Sequence, residues 1–285
     1  MGMSVEIRKL TDNDIRILVK GTNHVFMNMI RRTIISDVPK MAINNVDFHH
    51  GSLGSSSEGD EEIEFESTSP IYDEMIAHRL AMIPIATDLK LFSTRDSCSC
   101  GGDGCPNCTI MYAINKRGPC TVYSGDLEPV NNDAYRIKDD LIPIVKLDKG
   151  QALLVYATAE LGNGKQHAKW QSAQAVGYQY YPVIDIKKTK CDDCEACVSA
   201  CPRGVLDFDK KKKAIKIIDL ESCNLCKACM EACEKGTIDI TFDDSIFLLN
   251  FETDASYTPE VVLKKAIDIL NFKFNDFIEG IGKLK

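Results

Sequence analysis

Twelve of the thirteen cysteines in this 285-residue chain fall into three groups of four. "CDDCEACVSACP" holds Cys191, Cys194, Cys197 and Cys201, and "CNLCKACMEACE" holds Cys223, Cys226, Cys229 and Cys233. Both read C-x2-C-x2-C-x3-C, but the first continues into Pro202 and the second into Glu234. Three thiolates at this spacing can wrap one face of a cuboidal iron–sulfur cluster from a single loop. The fourth cysteine is expected to start the following helix and point the other way, onto the other cluster. One cluster would then use Cys191, Cys194, Cys197 and Cys233, and the other Cys223, Cys226, Cys229 and Cys201. Zinc is the rival occupant, but structural zinc sites favour C-x2-C pairs over this run. The spacing predicts two 4Fe–4S clusters, either of which can exist in a 3Fe–4S form.

The third group, "CSCGGDGCPNC", places Cys98, Cys100, Cys105 and Cys108 in one short loop. Gly101, Gly102, Gly104 and Pro106 let that loop fold four sulfurs around one ion. Tetrahedral zinc is the expected occupant, against an exposed loop of reduced thiols. Cys120 stands alone and reads as an inert buried thiol. His78 and His167 sit beside Arg79 and Lys169, a setting that favours neither metal binding nor a raised pKa. No nucleophile pairing, phosphate loop or Asp-x-Asp-x-Asp metal triad is visible, so no catalytic residue is expected.

Composition narrows the class further. Net charge is −8, with 34 Lys+Arg against 42 Asp+Glu. The stretch 181–241 balances eleven against eleven, so the acidic surplus lies elsewhere and direct DNA binding is not expected. No apolar run is long enough to span a membrane and the start lacks a signal-peptide core. A cytoplasmic protein using its cysteines for metal rather than disulfides is the expectation.

The elements that must position these sulfurs are legible in outline. "VLDFDKKKKAIKIID" between the two motifs predicts a β-hairpin, with Lys210–Lys213 as a solvated tip. "DIRILVKG" alternates Ile15, Ile17 and Val19 as a half-buried strand does. The following segment places Phe26, Met29, Ile30, Thr33 and Ile34 on one helical face, with Thr22 as N-cap. Residues 51–70 read as a Gly/Ser- and acid-rich loop, 71–85 as a short helix leading into a strand, and 142–170 as two strands and a Gly-rich turn. The C-terminal helix opens with Thr258 as N-cap and Pro259 at its first position. Leu263, Ile267, Leu270, Phe274, Phe277 and Ile281 recur along it at near-heptad spacing, over about 37 Å. So long an apolar stripe points to a partner helix.

Several of these words resemble a known family. "FMNMIRRTIISDVPKMAINNVDF", "DEMIAHRLAMIPI", "LGNGKQHAKWQSAQA" and "SYTPEVVLKKAIDIL" resemble the alpha-like assembly subunit of archaeal and eukaryotic RNA polymerases. With the ferredoxin-like insert the chain is similar to the archaeal D-type members of that family, in the two-cluster form found in methanogens. Ala81 departs from the family's usual Gly, and Glu234 from the ferredoxin proline. The resemblance implies an α+β chain: residues 1–46 plus 242–285 as a discontinuous dimerisation domain, 47–180 as a β-rich insert domain, and 181–241 as the ferredoxin-like domain. It implies pairing with the smaller subunit L through the terminal helices, joined by small subunits N and P as a platform for the large subunits. Those hold the magnesium and perform nucleotidyl transfer. The resulting expectation is a non-catalytic scaffold whose clusters stabilise or regulate the insert. The alternative is a ferredoxin-type electron carrier, which would need a further redox or catalytic domain that the sequence lacks.

Overall fold

The computed structural model describes residues 2–58, 61–68, 70–130, 132–187, 191–209 and 214–283. The chain is α+β and mostly sheet. Its N-terminal part runs β1 (Ser4–Leu10), β2 (Asp14–Lys20), α1 (His24–Ser36), β3 (Pro39–His49), β4 (Gly51–Glu58), β5 (Glu61–Ser67) and α2 (Asp73–Ala81). Then follow β6 (Thr109–Arg117), β7 (Cys120–Tyr123), β8 (Glu128–Pro129), β9 (Pro143–Leu147), β10 (Gln151–Asn163) and β11 (Ala173–Ile186). The cysteine repeats carry α3 (Ala196–Ser199), β12 (Leu206–Asp209), β13 (Ala214–Ile217) and α4 (Ala228–Glu231), before β14 (Ile238–Thr253) and α5 (Pro259–Gly282). The Lys210–Lys213 run lies outside the described residues. No described helix is long and apolar enough to cross a membrane.

Two compact units divide the chain, residues 1–31 with 175–251 and residues 32–174 with 252–285. The three-part layout expected from sequence draws its boundaries elsewhere, at 46, 180 and 241.

In the first unit, β1, β2, β14 and β11 form a four-stranded sheet in that order. Ile15, Ile17 and Val19 are buried as the alternation predicts, but Leu18 is buried too. Strand β2 is therefore covered on both faces rather than half-buried. Strands β12 and β13 pair antiparallel, Leu206 opposite Ile217 and Phe208 opposite Ile215, as the hairpin reading expects. Val205, Leu206, Ile215, Ile238 and Ile240 form a small core that includes Cys197, Cys223 and Cys229.

In the second unit, β10 is the organising strand. It pairs antiparallel with β3 and β6 and, at its start, parallel with β5. Leu153, Val155, Ala157, Ala159 and Leu161 alternate inward along it and meet Tyr112, Ile114, Met41 and Ile43 in the main core. Within 51–70, expected as loop, Gly51–Glu58 and Glu61–Ser67 pair as antiparallel strands β4 and β5. The signal was the period-2 pair Ile63 and Phe65, masked by the flanking acids; Phe65 is buried. The strand expected after α2 is not formed. Ile83 and Ile85 are fully buried, yet Pro84 between them has no N–H to give a ladder.

Helix α1 is capped by Asn23, whose Oδ1 accepts the Phe26 backbone N–H at 3.0 Å, and not by Thr22. Its buried stripe is Met27, Ile30, Thr33 and Ile34, with Phe26 and Met29 half-buried. Helix α5 begins at Pro259 after Thr258, as expected. Its buried residues are Pro259, Val262, Ala266 and Leu270, all in the first half. Of the predicted stripe only Leu270 is buried; Ile267, Phe274, Phe277 and Ile281 are exposed.

The segment "LGNGKQHAKW" has a packing reason for its glycines. A Cβ on Gly162 would lie 2.4 Å from the Trp170 indole, and one on Gly164 2.1 Å from the Ile35 carbonyl oxygen. Trp170 donates its indole N–H to the Glu160 carbonyl at 3.1 Å, and Lys169 Nζ lies 4.3 Å over its ring. Buried Lys40 pairs with Asp254 and donates to the Gln171 carbonyl at 3.2 Å.

Candidate metal centres

The loop 98–108 brings its four sulfurs together. All lie within 4.8 Å of one another, with Cys98–Cys105 at 3.5 Å, Cys100–Cys108 at 3.7 Å and Cys105–Cys108 at 3.9 Å. A tetrahedron of sulfurs about 2.3 Å from zinc has edges of about 3.8 Å, so the donor set fits that ion without rearrangement. The glycines make the shape. Gly101, Gly102 and Gly104 adopt φ of +71°, +95° and +92°, which L side chains rarely tolerate. The turn aims the backbone amides of Gly104, Cys105 and Gly102 at Cys100, and they pull its thiol down to about 5. Burial pushes the Cys108 thiol up to about 12. The loop thus holds one ready thiolate and one thiol that a dication must deprotonate. Cys120 lies apart from these sulfurs; it is only partly buried and contacts the Arg117 carbonyl.

The other eight cysteines are arranged differently. Among the described residues they bring no three sulfurs within 4.8 Å, the spacing a single ion needs. Instead each motif forms a wider curl. Asp193 and Glu195 flank Cys194 with φ of +60° and +56°, and Leu225 and Lys227 flank Cys226 with +59° and +63°. Left-handed backbone at non-glycine residues costs roughly 1 kcal/mol or more each, and persists where surroundings demand it. Between each pair, Cys194 and Cys226 keep the ordinary negative φ.

The third cysteines, Cys197 and Cys229, lie inside α3 and α4, and the fourth, Cys201 and Cys233, come just past the helix ends. The spacing alone puts the fourth cysteine at the helix start. The left-handed Glu195 and Lys227 are the N-caps and begin the helices at Ala196 and Ala228, five residues before the fourth cysteine.

Each third cysteine faces the other repeat. Burial raises the Cys197 thiol most, followed by the negative charge of Cys233 and, more weakly, Cys191. Burial likewise raises Cys229, followed by Cys201, Cys223 and Cys226. A recess lies among Cys201, Cys223, Cys226 and Cys229, lined by Ile184 and Ile240. The turn that leads into Cys223 is fastened to the four-stranded sheet. Arg8 Nε donates to Glu221 Oε1 at 2.7 Å, and Arg16 and Gln179 donate to the Glu221 carbonyl. These partners are not visible in the sequence, since each lies more than forty residues from Glu221.

Comparison with known proteins agrees with this anatomy. Residues 62–183 match the RNA polymerase Rpb3/RpoA insert domain, and residues 190–237 match the 4Fe–4S dicluster domain. An iron–sulfur domain joined to a polymerase insert domain defines the class, an iron–sulfur RNA polymerase subunit of the alpha-like kind. The chain is 41% identical to DNA-directed RNA polymerase subunit Rpo3 of Picrophilus torridus, over 98% of this chain and 100% of the relative. It is 40% identical to Rpo3 of Thermoplasma volcanium over 99% and 100%, and 33% identical to that of Methanosarcina acetivorans over the whole of both. The chain belongs to the Rpo3 family of DNA-directed RNA polymerase subunits.

Proposed function

We infer that this chain is the non-catalytic assembly scaffold of a cytoplasmic DNA-dependent RNA polymerase. It pairs with the smaller alpha-like subunit L, takes on subunits N and P, and presents a platform to the large subunits, which carry the nucleotidyl transfer. The observation that carries the reading is the second half of α5. Phe272, Phe277 and Ile278 are 74%, 66% and 64% exposed, and Phe274 and Ile281 are exposed beside them. A helix that leaves five large apolar residues in water is built to be covered by another chain. In this reading 1–46 with 242–285 is the pairing domain, 47–180 the insert domain and 181–241 the cluster domain.

The cysteine geometry supports two 4Fe–4S clusters with crossed ligation. Cys191, Cys194, Cys197 and Cys233 hold the first, and Cys223, Cys226, Cys229 and Cys201 the second. Cys98, Cys100, Cys105 and Cys108 hold zinc. Bound clusters supply folding free energy to a segment with a small apolar core, and one-electron chemistry if a donor reaches them. The protein's own part is to hold the thiolates, shield them with Ile184 and Ile240, and tie the Cys223 turn to the sheet through Glu221.

Anaerobic co-purification with the L partner tests the reading, counting iron, sulfide and zinc per heterodimer. A stable one-to-one complex with about eight irons and one zinc is expected. A monomer that keeps iron, ignores L and passes electrons to an acceptor would instead favour the electron-carrier alternative.

A further inference from the structure

The two cysteine repeats match position by position through their ends, "CPRGV" at 201–205 and "CEKGT" at 233–237. Their backbones match as well. Gly204 and Gly236 take left-handed φ of +60° and +58°, and their N–H groups return to the carbonyls of Cys201 and Cys233. The next N–H then reaches the cysteine sulfur, Val205 to Cys201 Sγ at 3.4 Å and Thr237 to Cys233 Sγ at 3.3 Å. One contact breaks the symmetry. Thr237 Oγ1 lies 3.1 Å from Cys233 Sγ, whereas Val205 offers only methyl groups to Cys201.

Thr237 is 2% exposed, so its hydroxyl has no ready access to bulk water. A sulfur that ligates iron carries no proton, which leaves the hydroxyl as the donor in this contact. Reduction adds one electron from an external low-potential donor, with no bond made or broken, and places more negative charge on the cluster and its sulfurs. A fixed donor to that sulfur holds the reduced form more tightly than the oxidised one.

We propose that Thr237 is a positioning residue that tunes one cluster. Its hydroxyl raises the reduction potential of the cluster held through Cys233 and makes the two clusters inequivalent by one hydrogen bond. The inference rests on the crossed two-cluster reading. Arg203 and Lys227 line the recess of the other cluster and act on its potential too. The shift caused by a substitution, rather than the order of the two potentials, is therefore the decisive quantity.

The experiment is a redox titration of the full-length chain with titanium(III) citrate, followed by electron paramagnetic resonance, after counting iron and sulfide. Thr237→Val should retain about eight irons and lower one midpoint while leaving the other in place. The expected change in reduced-to-oxidised ratio at fixed potential is at most about tenfold, ~59 mV for a one-electron couple. Thr237→Ser should restore the midpoint, and Val205→Thr should raise the other one. Unchanged midpoints in a fully loaded Thr237→Val protein would overturn the proposal, as would failure of Thr237→Ser to restore. If Thr237→Val loses a cluster, Val205→Thr decides, and no upward shift there rejects the tuning role. About four irons or fewer in the unaltered chain would reject the two-cluster reading itself, and the tuning role with it.

Discussion

Cys100 and Cys108 show how far four chemically identical side chains can be pulled apart by a few ångströms of backbone. Amide donors hold Cys100 near 5 and burial holds Cys108 near 12, so a zinc ion entering at neutral pH would have to expel the Cys108 proton while Cys100 is already charged. Apparent zinc affinity should therefore fall as pH drops from 8 to 6, a trend measurable by competition with a chromophoric chelator. A pH-independent affinity would mean that the thiols are not the ligands. At the same scale, Gly164 is forced by contact rather than by φ. Gly164→Ala should destabilise the second unit by about 1–3 kcal/mol, because the methyl would have to displace the Ile35 carbonyl. Urea unfolding of the variant reads this directly. The cysteine spacing and the loop glycines were visible in the sequence. Thr237 was not, although laying one repeat over the other would have exposed the Thr-for-Val difference.

Among the elements, strands with clean alternation were legible and those with mixed signals were not. Strand β10 alternates apolar and polar residues from Ala157 through Thr158, Ala159 and Glu160 to Leu161, and is the strand that binds the second unit together. The β4–β5 pair has too few apolar residues to announce itself, although its Phe65 is buried. Ile83 and Ile85 are buried without a strand because burial requires only apolar side chains, while a ladder requires an N–H that Pro84 lacks. Buried Lys40 depends on Asp254, far away in sequence at the approach to α5. Asp254→Ala should cost about 3 kcal/mol, since it leaves an ammonium buried without its counter-charge. The thermal midpoint should fall accordingly; an unchanged midpoint would mean that Lys40 reaches water instead. On α5 the two ends should respond oppositely. Phe274→Ser with Phe277→Ser should weaken pairing with the L partner at least tenfold while leaving the chain's own unfolding unchanged, whereas Ala266→Asp should unfold it. Sedimentation and circular dichroism together separate the two effects.

For the whole molecule, the central question is whether loss of the proposed clusters is felt at α5, the helix proposed to pair with L. Changing Cys191, Cys194 and Cys197 together to Ser should remove about half of the iron and leave pairing with L intact, because α5 and the cysteine repeats belong to different compact units. Loss of pairing would show that the expected division into pairing and cluster domains is wrong. The candidate metal ligands were readable from sequence because ligand spacing is a local property: two residues intervene between successive cysteines of each C-x2-C-x2-C run, and the loop's covalent geometry does the rest. Family membership was readable because "HRLAMIP" and "GKQHAKW" are contiguous words, legible without knowing what folds against them. Only the tertiary structure decided which half of α5 is left bare, which strand is covered on both faces, and which carboxylate answers buried Lys40. Burial and hydrogen bonding at those places depend on segments distant along the chain, and no spacing within a single segment encodes what will be folded against it.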